Sequence, residues 1–257
     1  MAKQKLLIFG DSFGEEFNIS FHVGHPLRAA SDSLLSYHTL LKESGYFSSI
    51  ENYALGGCDL FTQYQRFLEK YTGDELVLWF LTNPNRITID NIDHPGGIPF
   101  TIVGLNFCEF QLERIRNKKE PHLTKSAENI YAAAVEYYKY LQRDNYDDYV
   151  FLSIMNDIRK KAGKNVWFIP CFRTNATKDI DFALLDVFMD ESNSMRYEVQ
   201  KHQHKFVDIR RNHMTEANHR VLANQILDYY KTGKDIDPTL FVKPRPEEFS
   251  KYFRLRK

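Results

Sequence analysis

The chain has 257 residues, and its 34 Lys and Arg balance 34 Asp and Glu, so its formal net charge at pH 7 is zero. That balance excludes a global field drawing the chain to nucleic acid or to an acidic membrane surface, and it leaves specificity to a local site. A hydrophobic content of 43%, with 20 Phe and 15 Tyr, excludes general disorder and is enough for one large α/β core. Cys58, Cys108 and Cys171 show no paired spacing, which speaks against a disulfide framework and for three buried small hydrophobes in a reducing compartment. The apolar run after "MAKQK" is too short for a signal peptide and "LVLWFL" is too short for a membrane span. The expectation is a cytoplasmic chain with no membrane partner.

In chain order, "KLLIFG" (5 to 10), "IENYAL" (50 to 55) and "ELVLWFL" (75 to 81) are short apolar runs separated by helix-like stretches. That alternation predicts parallel strands joined by helical crossovers. After residue 86 the rhythm breaks into a mixture of Gly, Pro, short β-like runs and basic residues, read as an insertion over about 87–124. Helical periodicity follows from 125 to about 161, divided near "RDNYDDY" into two helices. "NVWFIP" (165 to 170) is a fourth strand, "DFALLDVFMDES" a helix, "KFVDIR" (205 to 210) a fifth strand and "TEANHRVLANQILDYYKTG" a closing helix. A Pro-punctuated extension covers about 234–257. The expected architecture is a single domain over 1–257, a three-layer α/β/α sandwich with a flavodoxin-like parallel five-stranded sheet.

In an open parallel sheet, ligands bind outside the carboxyl ends of the strands. Those positions here hold Gly10-Asp11-Ser12, then Gly56-Gly57, then Asn83 and Asn85 in "TNPNR", and finally His213 after the last strand. A serine hydrolase needs a nucleophile, a base within hydrogen-bond reach and donors aimed at the developing oxyanion, and residues able to serve each purpose stand on one rim. The set resembles the SGNH, or GDSL-type, hydrolases, whose motif blocks supply Ser, Gly, Asn and His in that order. "IFGDSF", "NYALGGCD" and "HMTEANHRVLANQI" carry the resemblance over nearly the whole chain apart from the insertion and tail. It implies Ser12 as nucleophile, His213 as base, and the N–H groups of Ser12 and Gly57 with the Asn83 amide as an oxyanion hole. No cofactor is implied. The implied substrate is a small-molecule or carbohydrate ester of a short acyl group such as acetate.

Two positions depart from the family pattern. The third block lacks its usual glycine and following acid, since this chain reads Leu81-Thr82-Asn83-Pro84. The position three residues before His213, where the family carries an aspartate, is Arg210. Guanidinium has no acceptor for an imidazole N–H. In serine proteases, replacing the orienting aspartate by an amide lowers turnover about 10⁴-fold. Asp208, a backbone carbonyl of 210 or 211, or an acid from the insertion are the candidates to replace it, the carbonyl ranking first.

Asp11 is read chiefly as holding the turn. With Asn85, Arg86 and Arg173 it also forms a set of candidate substrate-binding residues, because the two guanidiniums follow strand ends and suit a carboxylate or phosphate. His22, His25, His202 and His204 complete no metal-ligand set. "RIRNKK" and "RLRK" are too short for a nucleic-acid groove and read as solvated faces. Two other functions use the same fold: a non-catalytic binding or virion-associated module, suggested by a similarity of the Asn-Pro third block to chains in tailed-phage genomes, and an O-acyltransferase that excludes water.

Overall fold

The structure, a computed structural model, describes residues 3–15, 36–89, 100–117, 125–143, 145–180, 182–184 and 216–241. Its elements are β1 (Leu6–Gly10), α1 (Tyr37–Glu43), β2 (Ile50–Asn52), α2 (Leu60–Lys70), β3 (Leu76–Leu81), β4 (Arg86–Ile89), β5 (Phe100–Val103), α3 (Gly104–Arg116), α4 (Lys125–Tyr140), α5 (Tyr146–Ala162), β6 (Val166–Pro170) and α6 (Glu216–Thr232). They fall into two compact units, one formed by Ala2–Glu15 with Ser49–Asp179 and the other by Met1, Glu16–Ser48 and Ile180–Lys257.

The first unit contains a parallel sheet in the order β2-β1-β3-β6. Gly10 pairs with Phe80 and Leu81 with Pro170, so β1, β3 and β6 end on one rim. Every residue of β1 and β3 is buried. Continuous apolar runs of this kind are what a parallel strand covered on both faces requires. Strand alternation sends Leu7, Phe9, Val77, Trp79 and Leu81 to one face, where they meet Leu60 and Phe67 of α2 and Phe151, Met155 and Ile158 of α5. Phe9 stacks on Trp79 with ring centroids 5.0 Å apart, and Phe67 meets Trp79 edge-on at 5.7 Å. Such pairs contribute about 0.5–1.5 kcal/mol each beyond the area they bury. The sheet has four strands among the described residues; the expected fifth strand, 205–210, lies outside them.

The insertion begins as an antiparallel hairpin, β4 with β5, and continues into α3. The long helical stretch does divide, between Tyr140 and Tyr146, where Asn145 takes a φ of 61°. Its two halves face different cores. Tyr131, Val135 and Tyr138 of α4 pack with Ile102, Cys108 and Leu112 of the insertion, whereas α5 packs on α2. Arg114 and Arg116 of the basic run close the last turn of α3, where cations complement the helix dipole.

In the second unit, Ser36 caps α1 by accepting from the Thr39 N–H at 3.2 Å. The Tyr37 N–H, unused at the same helix end, donates to His219 Nδ1 of α6 at 3.3 Å. The two rings stack with centroids 6.0 Å apart. Burial lowers the His219 pKa to about 4, so the ring is neutral and Nδ1 is free to accept. No helix among the described residues is long and apolar enough to cross a membrane.

At Gly10 the backbones of β1 and β3 leave no room for a side chain. The φ of Gly10 is 130°, and a Cβ there would lie 2.4 Å from the Phe80 carbonyl oxygen. Gly10→Ala is therefore expected to cost more than about 3 kcal/mol or to prevent folding, strain and backbone clash acting together. Gly73→Ala is the control, because Gly73 has nearly the same φ, 127°, with no atom within 4 Å of the added carbon, and about 1 kcal/mol is expected there. Urea midpoints of the two variants check the difference, and equal losses would contradict it.

Candidate active site

The loop after β1 is built around one aspartate. The Asp11 carbonyl accepts the N–H of Gly14 at 3.0 Å and of Glu15 at 3.1 Å. Its carboxylate accepts the Phe13 N–H at 3.0 Å through Oδ1 and Arg86 Nη1 at 3.0 Å through Oδ2. Three consecutive N–H groups thus turn around Asp11, and half-buried Ser12 stands at the turn. Asn52 holds the loop from the β2 side, donating to the Gly14 carbonyl at 2.8 Å while its Oδ1 accepts the Ala54 N–H at 2.9 Å. The following loop therefore passes against the serine: a Cβ on Gly56 would lie 3.6 Å from Ser12 Cβ.

Gly57 has a φ of 79°, the left-handed region that favours glycine. Its carbonyl accepts the Thr101 hydroxyl of β5 at 2.7 Å, and its N–H has no partner among the described residues. Next to this loop, Asp59 caps α2 by accepting the Thr62 N–H at 2.6 Å. Its other oxygen accepts the Thr88 N–H at 2.5 Å, and its own N–H donates to the Thr88 hydroxyl at 2.8 Å. The insertion hairpin is thereby fastened to both residues flanking Cys58.

Asn83 Oδ1 accepts the Asn85 N–H at 2.9 Å, and its carbonyl accepts the Arg86 N–H at 3.1 Å. This turn uses the acceptor end of the side-chain amide and leaves the NH₂ end as the donor. Pro84 favours the extended backbone that Asn83 needs to start it. The Asn85 carbonyl in turn accepts the Tyr138 hydroxyl at 3.0 Å.

Asp11 is completely buried, so it serves the turn and does not meet solvent. Burial pushes its pKa above the ordinary carboxylate value, while the Arg86 charge and the Phe13 N–H pull against that rise. Arg86, largely buried, spends its charge on this pair and lies over the Phe172 ring at 5.7 Å. Phe172 meets Phe13 edge-on at 5.7 Å, tying the Ser12 loop to the loop after β6. Arg173, next in the chain, is exposed and lines a cleft of about 520 Å³ together with Asn83, Asn85, Asp148, Asn175 and Lys178. Among the described residues lining this cleft, Ser12 and Gly57 are absent and Asn83 is present.

Ser12, Gly57, Asn83, Asn85 and Arg173 therefore stand on loops that follow strands of the sheet, and Arg86 opens β4. His213, Asp208 and Arg210 lie outside the described residues, as do His22, His25, His202 and His204. Among the described residues no three His, Cys, Asp or Glu side chains gather as metal ligands. Cys58, Cys108 and Cys171 are buried and unpaired, and burial raises all three thiol pKa values. Asn52 was visible in the sequence only as a strand-end asparagine. Thr88 and Thr101 carry no sequence signal, because their partners are 29 and 44 residues away.

No protein-family profile matches the chain, and no curated protein matches it. Among solved structures, a phospholipase A1 from Streptomyces albidoflavus is similar at 11% identity with a TM-score of 0.30. The match covers 67% of this chain and 62% of that one.

Arg86→Ala removes the cation facing Asp11 and is expected to cost about 3 kcal/mol at pH 8. A raised carboxyl pKa means that the folded state binds its proton more tightly than the unfolded chain, so this stability is full at low pH and lost as pH rises. Without Arg86 the rise is steeper, and the penalty relative to wild type should shrink between pH 8 and pH 5. Urea unfolding at the two pH values checks this; a penalty that does not change would show that Asp11 is not the group left uncompensated.

Proposed function

We propose that the chain is a serine ester hydrolase of the SGNH type, cleaving a short acyl ester such as an acetyl group on a carbohydrate. What supports this reading is that Ser12, Gly57 and Asn83 follow β1, β2 and β3, which are neighbours in the sheet. The chain leaves β1 for β2 on one side and returns to β3 on the other, and the crevice at such a switch point is where open α/β sheets bind ligands. The Gly57 N–H, which has no partner among the described residues, and the NH₂ end of Asn83 are donors suited to an oxyanion; the Gly57 carbonyl and Asn83 Oδ1 are held by Thr101 and Asn85.

In this scheme Ser12 Oγ attacks the ester carbonyl carbon, and its proton passes to His213. The carbonyl oxygen gains the negative charge and is met by the N–H groups of Ser12 and Gly57 and by Asn83 Nδ2. Collapse of the tetrahedral species expels the alcohol, which takes the proton from His213, and water repeats the sequence on the acyl-serine. With Arg210 unable to accept, the imidazole is oriented by a carbonyl of 210 or 211, with Asp208 the next candidate.

A fluorophosphonate probe is expected to form an adduct on Ser12, and Ser12→Ala to abolish both labelling and turnover of p-nitrophenyl acetate. A wild-type rate no greater than that of Ser12→Ala across a panel of esters would sink the enzyme reading and leave a binding module. Asn83→Asp separates chemistry from structure. It keeps the acceptor that the Asn85 N–H needs but removes the donor, so kcat should fall about 10²- to 10³-fold with the thermal midpoint little changed. A fall in midpoint without a fall in kcat would remove Asn83 from the oxyanion site.

A further inference from the structure

We propose that the cross-strand pair Thr88 and Thr101 of the insertion hairpin is a clamp on the Gly57 carbonyl, and that these two positioning residues fix the direction in which the Gly57 N–H points. The catalytic consequence rests on the hydrolase reading; the hold on the turn does not.

The Gly57 N–H belongs to the middle peptide of a tight turn. The Cys58 N–H donates to the Leu55 carbonyl at 3.0 Å, which closes a four-residue turn over 55–58. Gly57, at its third position, has a φ of 79°, and Gly56 before it is not at positive φ. A positive φ at the third position alone defines a type II turn, whose ideal value there is about 80°. The commoner type I turn differs by about 150° in the torsion before the middle peptide and about 170° in the one after it, which amounts to a half-rotation of that peptide. Such a rotation would send the Gly57 N–H to the opposite face and put the Gly56 carbonyl in its place.

Two glycines leave the choice open, because neither central position has a side chain to exclude one class. Stiffening the turn with a Pro at its second position is closed: a Cβ on Gly56 would lie 2.8 Å from Oε2 of Glu15, whose side chain is buried. The restraint therefore comes from outside the turn. Thr88 and Thr101 stand directly opposite each other in the β4–β5 ladder, so their side chains leave the same face. Both hydroxyls reach the Gly57 carbonyl, Thr101 at 2.7 Å and Thr88, the longer arm, at 3.5 Å. Thr88 Oγ1 also accepts the Asp59 N–H at 2.8 Å, which leaves its own proton for that carbonyl. Held at its carbonyl, Gly57 no longer turns freely about its own torsions, and its N–H keeps one direction. Stabilisation of an oxyanion depends on donors that are fixed before the reaction begins.

Thr101→Val, which keeps the shape and removes the hydroxyl, tests this in the full chain. Deleting an oxyanion donor lowers kcat about 10²- to 10³-fold, and a donor left in place without a fixed direction is expected to lower it about tenfold, with KM for p-nitrophenyl acetate within about twofold of wild type. Thr101→Ser restores the hydroxyl and should bring kcat back to within about threefold of wild type. Tyr64→Phe, which removes another hydroxyl hydrogen bond of the same unit, that to Asp157, should leave kcat unchanged. The ¹⁵N order parameter of Gly57 reads the clamp without catalysis. It should lie near the rigid value of about 0.85 in wild type and Thr101→Ser and fall toward about 0.6 in Thr101→Val. Should Thr101→Val not fold, Thr101→Ala removes the same hydroxyl in a smaller volume and is read in the same way. An order parameter indifferent to loss of the hydroxyl, an unchanged kcat in an active enzyme, or a loss that Thr101→Ser does not restore would overturn the proposal. A wild type unreactive toward the fluorophosphonate probe, with a Gly57 order parameter that still falls in Thr101→Val, would sink the hydrolase reading and leave the clamp standing.

Discussion

One buried carboxylate organises the rim of this sheet. Asp11 faces three N–H groups of its own loop and the guanidinium of Arg86, which opens the insertion hairpin. Removing such a group from water costs more than its partners return, as its raised pKa records. The pair is therefore a geometric constraint more than a source of stability. It fixes where Ser12 stands, and through Arg86, Phe172 and Phe13 it joins the loops after β1, β3 and β6 into one assembly.

Strands β1, β2, β3 and β6 were legible because parallel strands covered on both faces are written as continuous apolar runs, as in "LLIFG" and "LVLWFL". What could not be read was the allegiance of the two long helices. Both α4 and α5 show the same 3.6-residue pattern, and periodicity says which face is apolar without saying what covers it. Tyr131 and Tyr138 turned out to face Cys108 and Leu112, and Phe151 and Met155 to face the sheet.

At the site, residues next to strand ends were legible and their loyalties were not. That Ser12, Gly57 and Asn83 stand beyond the carboxyl ends of β1, β2 and β3 follows from the strand pattern alone. Arg86 and Arg173 looked equivalent in the sequence, each a few residues past a strand. The structure separates them, since the first turns inward to Asp11 and the second lines an open cleft. A local pattern cannot encode that difference, because it depends on which loop arrives from elsewhere in the chain.

The insertion hairpin holds the Gly57 loop through Thr101 on the Gly57 carbonyl and Thr88 on Asp59. Those threonines make the inserted segment and the sheet inseparable parts rather than two modules. A chain shortened across residues 86–103 would keep β1, β2, β3 and β6 while freeing the loop that carries Gly57 and Asp59 from its far anchor.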